Sequence, residues 1–437
     1  MTPLAAVQAV AARLAELESG LQLPLGERLI GVVGVAAMIG AALLLSSHRG
    51  RVRWRLVAAG LLLQFLFGVV VLKTGAGREA FDVAGQGFNR LIGFTREGAR
   101  FVFGDLVDQP AFLAFSVLPT IIFFSALMSV LYHLGVMQLV VKGLAWVMQR
   151  TLRTSGAETL SASGNIFLGQ TEAPLLIKPF VGRMTQSELM TVMVGGFATV
   201  AGGVLAAYVG MLAGILPGIA AHLLAASVMN APAGLYLAKI LRPETEVPVT
   251  QGSLSFGEDS GIVKEGSVIE AAANGASQGV QLAINVAAML MAFVALVAML
   301  NAGLGWVGGL VGVENLSLQL ILGTILRPLA WVMGVPWQDT AYVGGLIGLK
   351  TSLNEFVAYA QFAGDLGSGV VLEPRSAIIL TYALLGFANF SSIAIQIGGI
   401  GGLAPERRGE IAKFGLKAMI AGNLAAFISA SLAGMLA

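Results

Sequence analysis

Long apolar runs alternate with short polar breaks along most of this chain, at the spacing of membrane-crossing helices. A helix that spans a bilayer takes about 20 mostly apolar residues. Residues 29–47 meet that length and 56–72 come close to it. Between them, HRGRVRWR carries Arg49, Arg51, Arg53 and Arg55. Such a basic cluster stays on the cytoplasmic side, which predicts a periplasmic N-terminus. Residues 110–138 supply a third span, followed by Lys142, Arg150 and Arg153. No Asp, Glu, Lys or Arg occurs from 189 to 238, and Leu216-Pro217-Gly218 interrupts that stretch, predicting two helices joined by a tight turn. A polar loop covers 242–270, and 271–313 is again uncharged. Residues 318–333 are shorter and carry Arg327-Pro328, which fits a helix along the surface. Residues 376–405 and 418–437 complete about eight spans.

Two segments break the pattern. SASGNIFLGQTEAPLLIKPF (161–180) has Asn165, Gln170, Thr171 and Glu172 at its centre, then Pro174 and Pro179. TAYVGGLIGLKTSLNEFVAYAQ (340–361) has Lys350, Thr351, Ser352, Asn354 and Glu355. A lysine or carboxylate at the bilayer centre costs roughly 2.5–3.5 kcal/mol on insertion scales. A re-entrant hairpin buried in protein avoids that cost, because irregular backbone is tolerated where it lines a cavity. Both segments are therefore expected to be re-entrant hairpins.

Each hairpin is followed by a related phrase, GFATVAG (196–202) after the first and GFANFSS (386–392) after the second. Paired, glycine-interrupted apolar segments in corresponding halves point to a transporter's binding site. A helix broken at mid-membrane exposes unpaired N–H and C=O groups, with partial positive charge at half-helix N-termini and negative at C-termini. With Gln, Thr, Glu, Asn and Ser around them, these groups can replace the hydration shell of a polar solute or a cation.

Composition agrees. The chain of 437 residues is 56% hydrophobic and 11% charged, against about 25% charged in soluble domains. Its 57 glycines suit close helix packing. Without cysteine it can form no disulfide, iron–sulfur cluster or thiolate zinc site, and His48, His133 and His222 have no metal-ligand spacing. A net charge of +2 is too small to suggest nucleic-acid binding. Residues 1–20 lack a signal-peptide pattern; Leu4, Val7, Val10, Leu14, Leu17 and Leu21 recur at helical spacing, predicting an amphipathic interfacial helix.

GNIFLGQTEAP (164–174), LNEFVAY (353–359) and GFANFSS (386–392), followed by GGIGGLAP (398–405), resemble the signature of the concentrative nucleoside transporters. The resemblance covers about residue 155 to the C-terminus. It implies an all-α polytopic membrane protein with eight transmembrane helices, two oppositely oriented re-entrant hairpins in an inverted repeat, interfacial helices, and a homotrimer in which a transport part moves against a scaffold. It further implies that Gln170 and Thr171 hydrogen-bond the nucleobase with Glu172 nearby, that Val204 and Phe387 pack on the solute, and that Glu355, Asn389 and Ser392 hold the ribose. A carboxylate and an amide can indeed pair with vicinal hydroxyls. The coupling sodium falls to Asn165, Thr199 and the carbonyls of Leu168 and Val200. Thr199 stands where some relatives have Ser, and the hydroxyl is retained.

The expected organisation is an interfacial segment (1–28), first scaffold helices (29–150), a first transport repeat (151–241; hairpin 158–182, broken helix 189–216), a polar loop (242–278), a scaffold helix and surface helix (279–335), and a second transport repeat (336–437; hairpin 340–362, broken helix 375–402, final helix 410–437). The expected function is nucleoside import (uridine, cytidine, adenosine or related) by sodium symport across a bacterial inner membrane, with no other cofactor. One sodium crossing roughly 100 mV contributes about 2.3 kcal/mol, and at about 1.36 kcal/mol per decade that is roughly 50-fold accumulation. A proton carried by Glu172 or Glu355 would serve equally in energy. A channel is a further alternative, which paired broken segments disfavour. An intramembrane hydrolase is the enzyme alternative, since Gly275-Ala276-Ser277-Gln278-Gly279 matches G-x-S-x-G; it lacks the strand–turn–helix context and a nearby histidine. Residues 345–351 miss a P-loop because Leu349 stands where glycine must precede the lysine.

Overall fold

A computed structural model describes residues 25–108, 113–216, 218–252, 266–313 and 315–436. The expected interfacial helix before residue 25, Pro217 of the interhelical turn and the middle of the polar loop lie outside them. Among the described residues the regular structure is helical throughout: α1 (Leu25–Leu44), α2 (Trp54–Lys73), α3 (Gly75–Phe103), α4 (Leu113–His133), α5 (Val136–Leu152), α6 (Gly156–Gly164), α7 (Lys178–Val181), α8 (Gln186–Ala198), α9 (Gly202–Leu212), α10 (Ile219–Leu241), α11 (Val268–Val311), α12 (Leu318–Val332), α13 (Thr340–Ser352), α14 (Glu355–Gly367), α15 (Pro374–Leu384), α16 (Phe390–Leu403) and α17 (Arg408–Leu436).

Five described segments are long and apolar enough to span: 54–73, 186–212 with its internal break, 219–241, 268–310 and 405–436. The pair α4–α5, bent by 79°, makes a sixth as one span, α1 is apolar but shorter, and the span expected over 376–405 is the broken pair α15–α16. At the α4–α5 bend, Gly135 takes φ +80°, a left-handed conformation glycine adopts at low cost. α3 answers to no apolar run: its polar and apolar positions separate by face over 29 residues.

Both hairpins are present, with unlike arms. The second is two full helices, α13 and α14, joined at residues 353–354. The first descends through α6, then returns as a 3-10 turn over Ala173–Ile177 and the single turn α7. Pro174 and Pro179 stand at the starts of those two pieces; proline is tolerated there and breaks a helix interior, so the arm stays segmented. α6 begins with a capping box, Ser155 and Glu158, and α8 with another, Thr185 and Glu188.

α8, α10 and α17 form a buried inner group, whereas α11 is almost bare of contacts apart from its packing along α4. The G-x-S-x-G string lies within α11 and has a packing role: a Cβ on Gly275 would fall 2.7 Å from Ser125 O, and one on Gly279 2.7 Å from Ile122 Cα. These glycines let α11 and α4 cross closely. α12, expected along the surface, buries only Gly323 and Ala330 and packs lengthwise on α13.

Candidate functional site

Both long broken helices interrupt where the repeated phrase predicts. α8 ends at Ala198, residues 199–201 are extended, and α9 begins at Gly202. α15 ends at Leu384, and α16 begins after Asn389. Gly386 turns the second break at φ +121°, where a Cβ would lie 2.8 Å from Phe197 O and 2.9 Å from Ala198 O. Glycine is thus required both by conformation and by the close approach of the first break.

The freed backbone groups are met by specific partners. Asn230 of α10 donates to Ala198 O at 2.8 Å, and Asn423 of α17 donates to Ala388 O at 2.9 Å. Ala198 and Ala388 are the alanines of the two GFA phrases, so each repeat uses an asparagine from its following helix on the equivalent carbonyl. Gly202 N–H donates to Phe167 O of the first hairpin at 2.8 Å. Asn230 also ends a buried polar chain: Tyr236 OH donates to Gln64 (2.9 Å), Gln64 Nε2 to Ser429 (2.8 Å), and Ser429 Oγ to Asn230 Oδ1 (2.5 Å).

The hairpins and breaks line a partly open cavity of about 150 Å³. Gln170, Thr171, Glu172, Val204, Glu355, Phe387, Asn389 and Ser392 all line it. Asn354, Phe356 and Ser391 join them, and α11 closes one side with Leu282, Val286 and Leu290. The fixed centre of the polar wall is Glu355, buried at the first position of α14. Its two oxygens accept from Tyr208 OH at 2.9 Å and Asn389 Nδ2 at 2.8 Å, and the N-terminal end of α14 favours its negative charge. Asn389 caps α16, its Oδ1 accepting from Ser392 N–H (2.9 Å) and Ser391 Oγ (2.7 Å). Gln170 joins the first hairpin to this network, donating to Ser392 Oγ at 3.2 Å and accepting from Gln396 Nε2 at 3.2 Å. Glu172 is exposed to the cavity. Neither Glu172–Lys178 nor Glu355–Lys350 is an ion pair: Lys350 Nζ instead donates to Ala383 O at 2.9 Å.

The tip of the first hairpin, with Leu168, lies against the first break, with Thr199 and Val200, through the Gly202 N–H to Phe167 O hydrogen bond. Asn165 ends α6 with no exposed surface, and both its amide atoms lack a hydrogen-bond partner. Its Nδ2 lies 3.1 Å from where a Cβ on Gly195 would be, in the last turn of α8. Thr199 Oγ1 donates to Gly195 O at 2.9 Å, leaving its own lone pairs to accept. An unpaired buried amide costs about 1–3 kcal/mol, and a cation beside Asn165 Oδ1 would offset it. Sequence reasoning missed Asn354, Phe356, Ser391 and the three α11 residues as lining. Asn354 stood next to Glu355 inside a quoted motif, but an apolar run does not reveal which Leu and Val face a cavity.

The family described as Na+ dependent nucleoside transporter matches with its C-terminus at residues 222–434 and its N-terminus at 33–106, and nucleoside recognition matches 114–215. An uncharacterized transporter of Haemophilus influenzae is 46% identical, covering 93% of this chain and 97% of its own length. Sodium/nucleoside cotransporter 1 of Rattus norvegicus is 43% identical over 94% of this chain and 64% of its own length. The structure of CNTnw in an inward-facing substrate-bound state superposes with TM-score 0.87 at 45% identity, covering 93% of this chain and 97% of that one. A variant of CNTnw in an outward-facing state gives 0.89 at 44% identity, covering 94% and 98%.

Proposed function

Since the chain belongs to the Na+ dependent nucleoside transporter family, we propose that it imports nucleosides by sodium symport, with the cavity between the hairpins and breaks alternately open to either side. The observation that carries this reading is the Glu355–Asn389 pair, which sets a carboxylate acceptor and an amide donor side by side in the cavity wall. Vicinal ribose hydroxyls match such a pair as donors and acceptors. Glu355, Asn389 and Ser392 then hold the ribose. Gln170 and Thr171 hydrogen-bond the base, Glu172 acts beside them, and Val204 and Phe387 supply the apolar contact.

The unpaired Asn165 amide supports a sodium ion held with Thr199 and the carbonyls of Leu168 and Val200. The two hairpin-and-broken-helix repeats, over 151–241 and 336–437, form the moving transport part. The scaffold comprises 29–150 and 279–335 and is assembled as a homotrimer in a bacterial inner membrane, with Arg49 to Arg55 on the cytoplasmic side. The nearly bare α11 is an apolar surface suited to lipid or another protomer.

Uptake of labelled uridine by the purified chain in liposomes tests the proposal. Saturable uptake that needs an inward sodium gradient supports it. Flux indifferent to the gradient supports a channel, and uptake driven by a pH step alone supports proton coupling.

A further inference from the structure

The two repeats treat the equivalent helix end in different ways. In each, the end of the hairpin's first arm faces the last turn of the broken helix's first half. That turn is a helix C-terminus buried in the membrane, carrying partial negative charge. In the first repeat the facing residue is the neutral Asn165, and the partners seen at the end of α8 are neutral too: Thr199 Oγ1 on Gly195 O and Asn230 on Ala198 O. In the second repeat the facing residue is Lys350, in the last turn of α13 and without exposed surface. Its Nζ donates to Ala383 O at 2.9 Å and Leu385 O at 3.5 Å, the carbonyls at the end of α15, and lies 5.8 Å from the centre of the Phe427 ring.

We propose that the Lys350 ammonium is a tethered cation occupying, in the second repeat, the position that sodium fills in the first, so that the transporter couples to one sodium per nucleoside. An ammonium is tolerated in the dry interior only when it is paired or hydrogen-bonded. Here it meets two carbonyl dipoles and an aromatic face, a ligand set that would serve a small monovalent cation equally well. The side chain fills the site and cannot leave. The first repeat, built to the same plan with an amide instead of an amine, has to recruit its cation from solution. The asymmetry between Asn165 and Lys350 thereby makes one half dependent on a dissolved ion and lets the other supply its own nitrogen to the carbonyls.

The proposal rests on the sodium reading above, and the test separates the two. Uridine binding to the purified full chain is titrated with sodium at constant ionic strength, for the wild type, Lys350→Ala and Lys350→Arg, alongside equilibrium binding of radiolabelled sodium. The wild type is expected to gain affinity in proportion to sodium, with a log–log slope of about one, and to bind about one sodium per chain. Lys350→Ala vacates the second site and is expected to steepen the slope toward about two, with half-saturating sodium raised about tenfold or more. Lys350→Arg keeps the charge and the slope of the wild type. A wild-type slope near two, or Lys350→Ala with unchanged slope and half-saturation, overturns the proposal. If Lys350→Ala does not fold, the wild-type sodium count decides alone: about one supports the proposal and about two overturns it. A wild type indifferent to sodium sinks the coupling reading, and this proposal with it, whereas two bound sodium ions sink this proposal alone.

Discussion

The amide of Phe387, in the second helix break, donates to the carbonyl of Thr199, in the first, at 3.2 Å. One backbone hydrogen bond therefore joins the wall of the solute cavity to the proposed ion site. The two halves of the repeat meet at their most irregular points, where neither backbone is satisfied by its own helix. Solute and ion have a short path by which each can sense the other.

That junction depends on Gly386. Gly386→Ala would force a side chain into φ +121° and to within 3 Å of two carbonyls of the first break. A cost on the order of 2–3 kcal/mol is expected, seen as a lower melting temperature in detergent and loss of uptake. Gly398→Ala, in the middle of α16 with open space around the new methyl, is the control and should melt no lower than the wild type.

The proposed ribose site predicts unequal effects from two variants that both leave the α16 cap intact. Glu355→Gln weakens a charge-assisted hydrogen bond of about 1.5–3 kcal/mol, so uridine should bind about 10- to 100-fold more weakly by isothermal titration. Asn389→Asp keeps an acceptor for Ser392 N–H but removes the donor to Glu355 and sets two carboxylates together. It should bind more weakly still. Wild-type affinity in either variant would place the ribose elsewhere.

Asn165→Ala removes an amide that has no partner. Without sodium its melting temperature should equal or exceed that of the wild type. The stabilisation that sodium confers on the wild type by binding the folded state should shrink, and half-maximal uptake should need more sodium. A melt in sodium against choline reads both effects. An unchanged sodium shift would move the ion site away from Asn165.

Most of the site was legible in the sequence because its chemistry is costly in a membrane: Glu172, Glu355 and the polar residues beside them stand out against apolar surroundings. The breaks were legible from a repeated phrase. Other features left weaker traces. α3 escaped a search for apolar runs because its apolar residues share one face of an otherwise polar helix. Asn230 and Asn423 each stand among apolar neighbours in long helices, and only the fold shows that they serve equivalent carbonyls. The 3-10 return of the first hairpin was foreshadowed by Pro174 and Pro179, but its geometry was not. Lys350, five residues before Glu355, turns to the backbone of α15, which its place in the sequence does not reveal.

The buried chain from Tyr236 through Gln64 and Ser429 to Asn230 predicts coupled energetics. Asn230→Ala strands Ala198 O and removes the acceptor for Ser429 Oγ, each a loss of about 1–3 kcal/mol. Ser429→Ala should cost less when Asn230 is already gone. A double-mutant cycle of melting temperatures should therefore be non-additive, and simple additivity would show that the chain does not act as a unit.

The α11 side of the cavity carries a mechanical implication. Leu282, Val286 and Leu290 offer the solute no donor or acceptor, while the hydrogen-bonding groups lining the cavity ride on the hairpins and broken helices. Dispersion forces from such a wall vary little with sideways displacement. On the proposed division into moving repeats and fixed scaffold, a bound nucleoside would slip past α11 as cargo does along a greased rail, with no bond to that helix to break during the stroke.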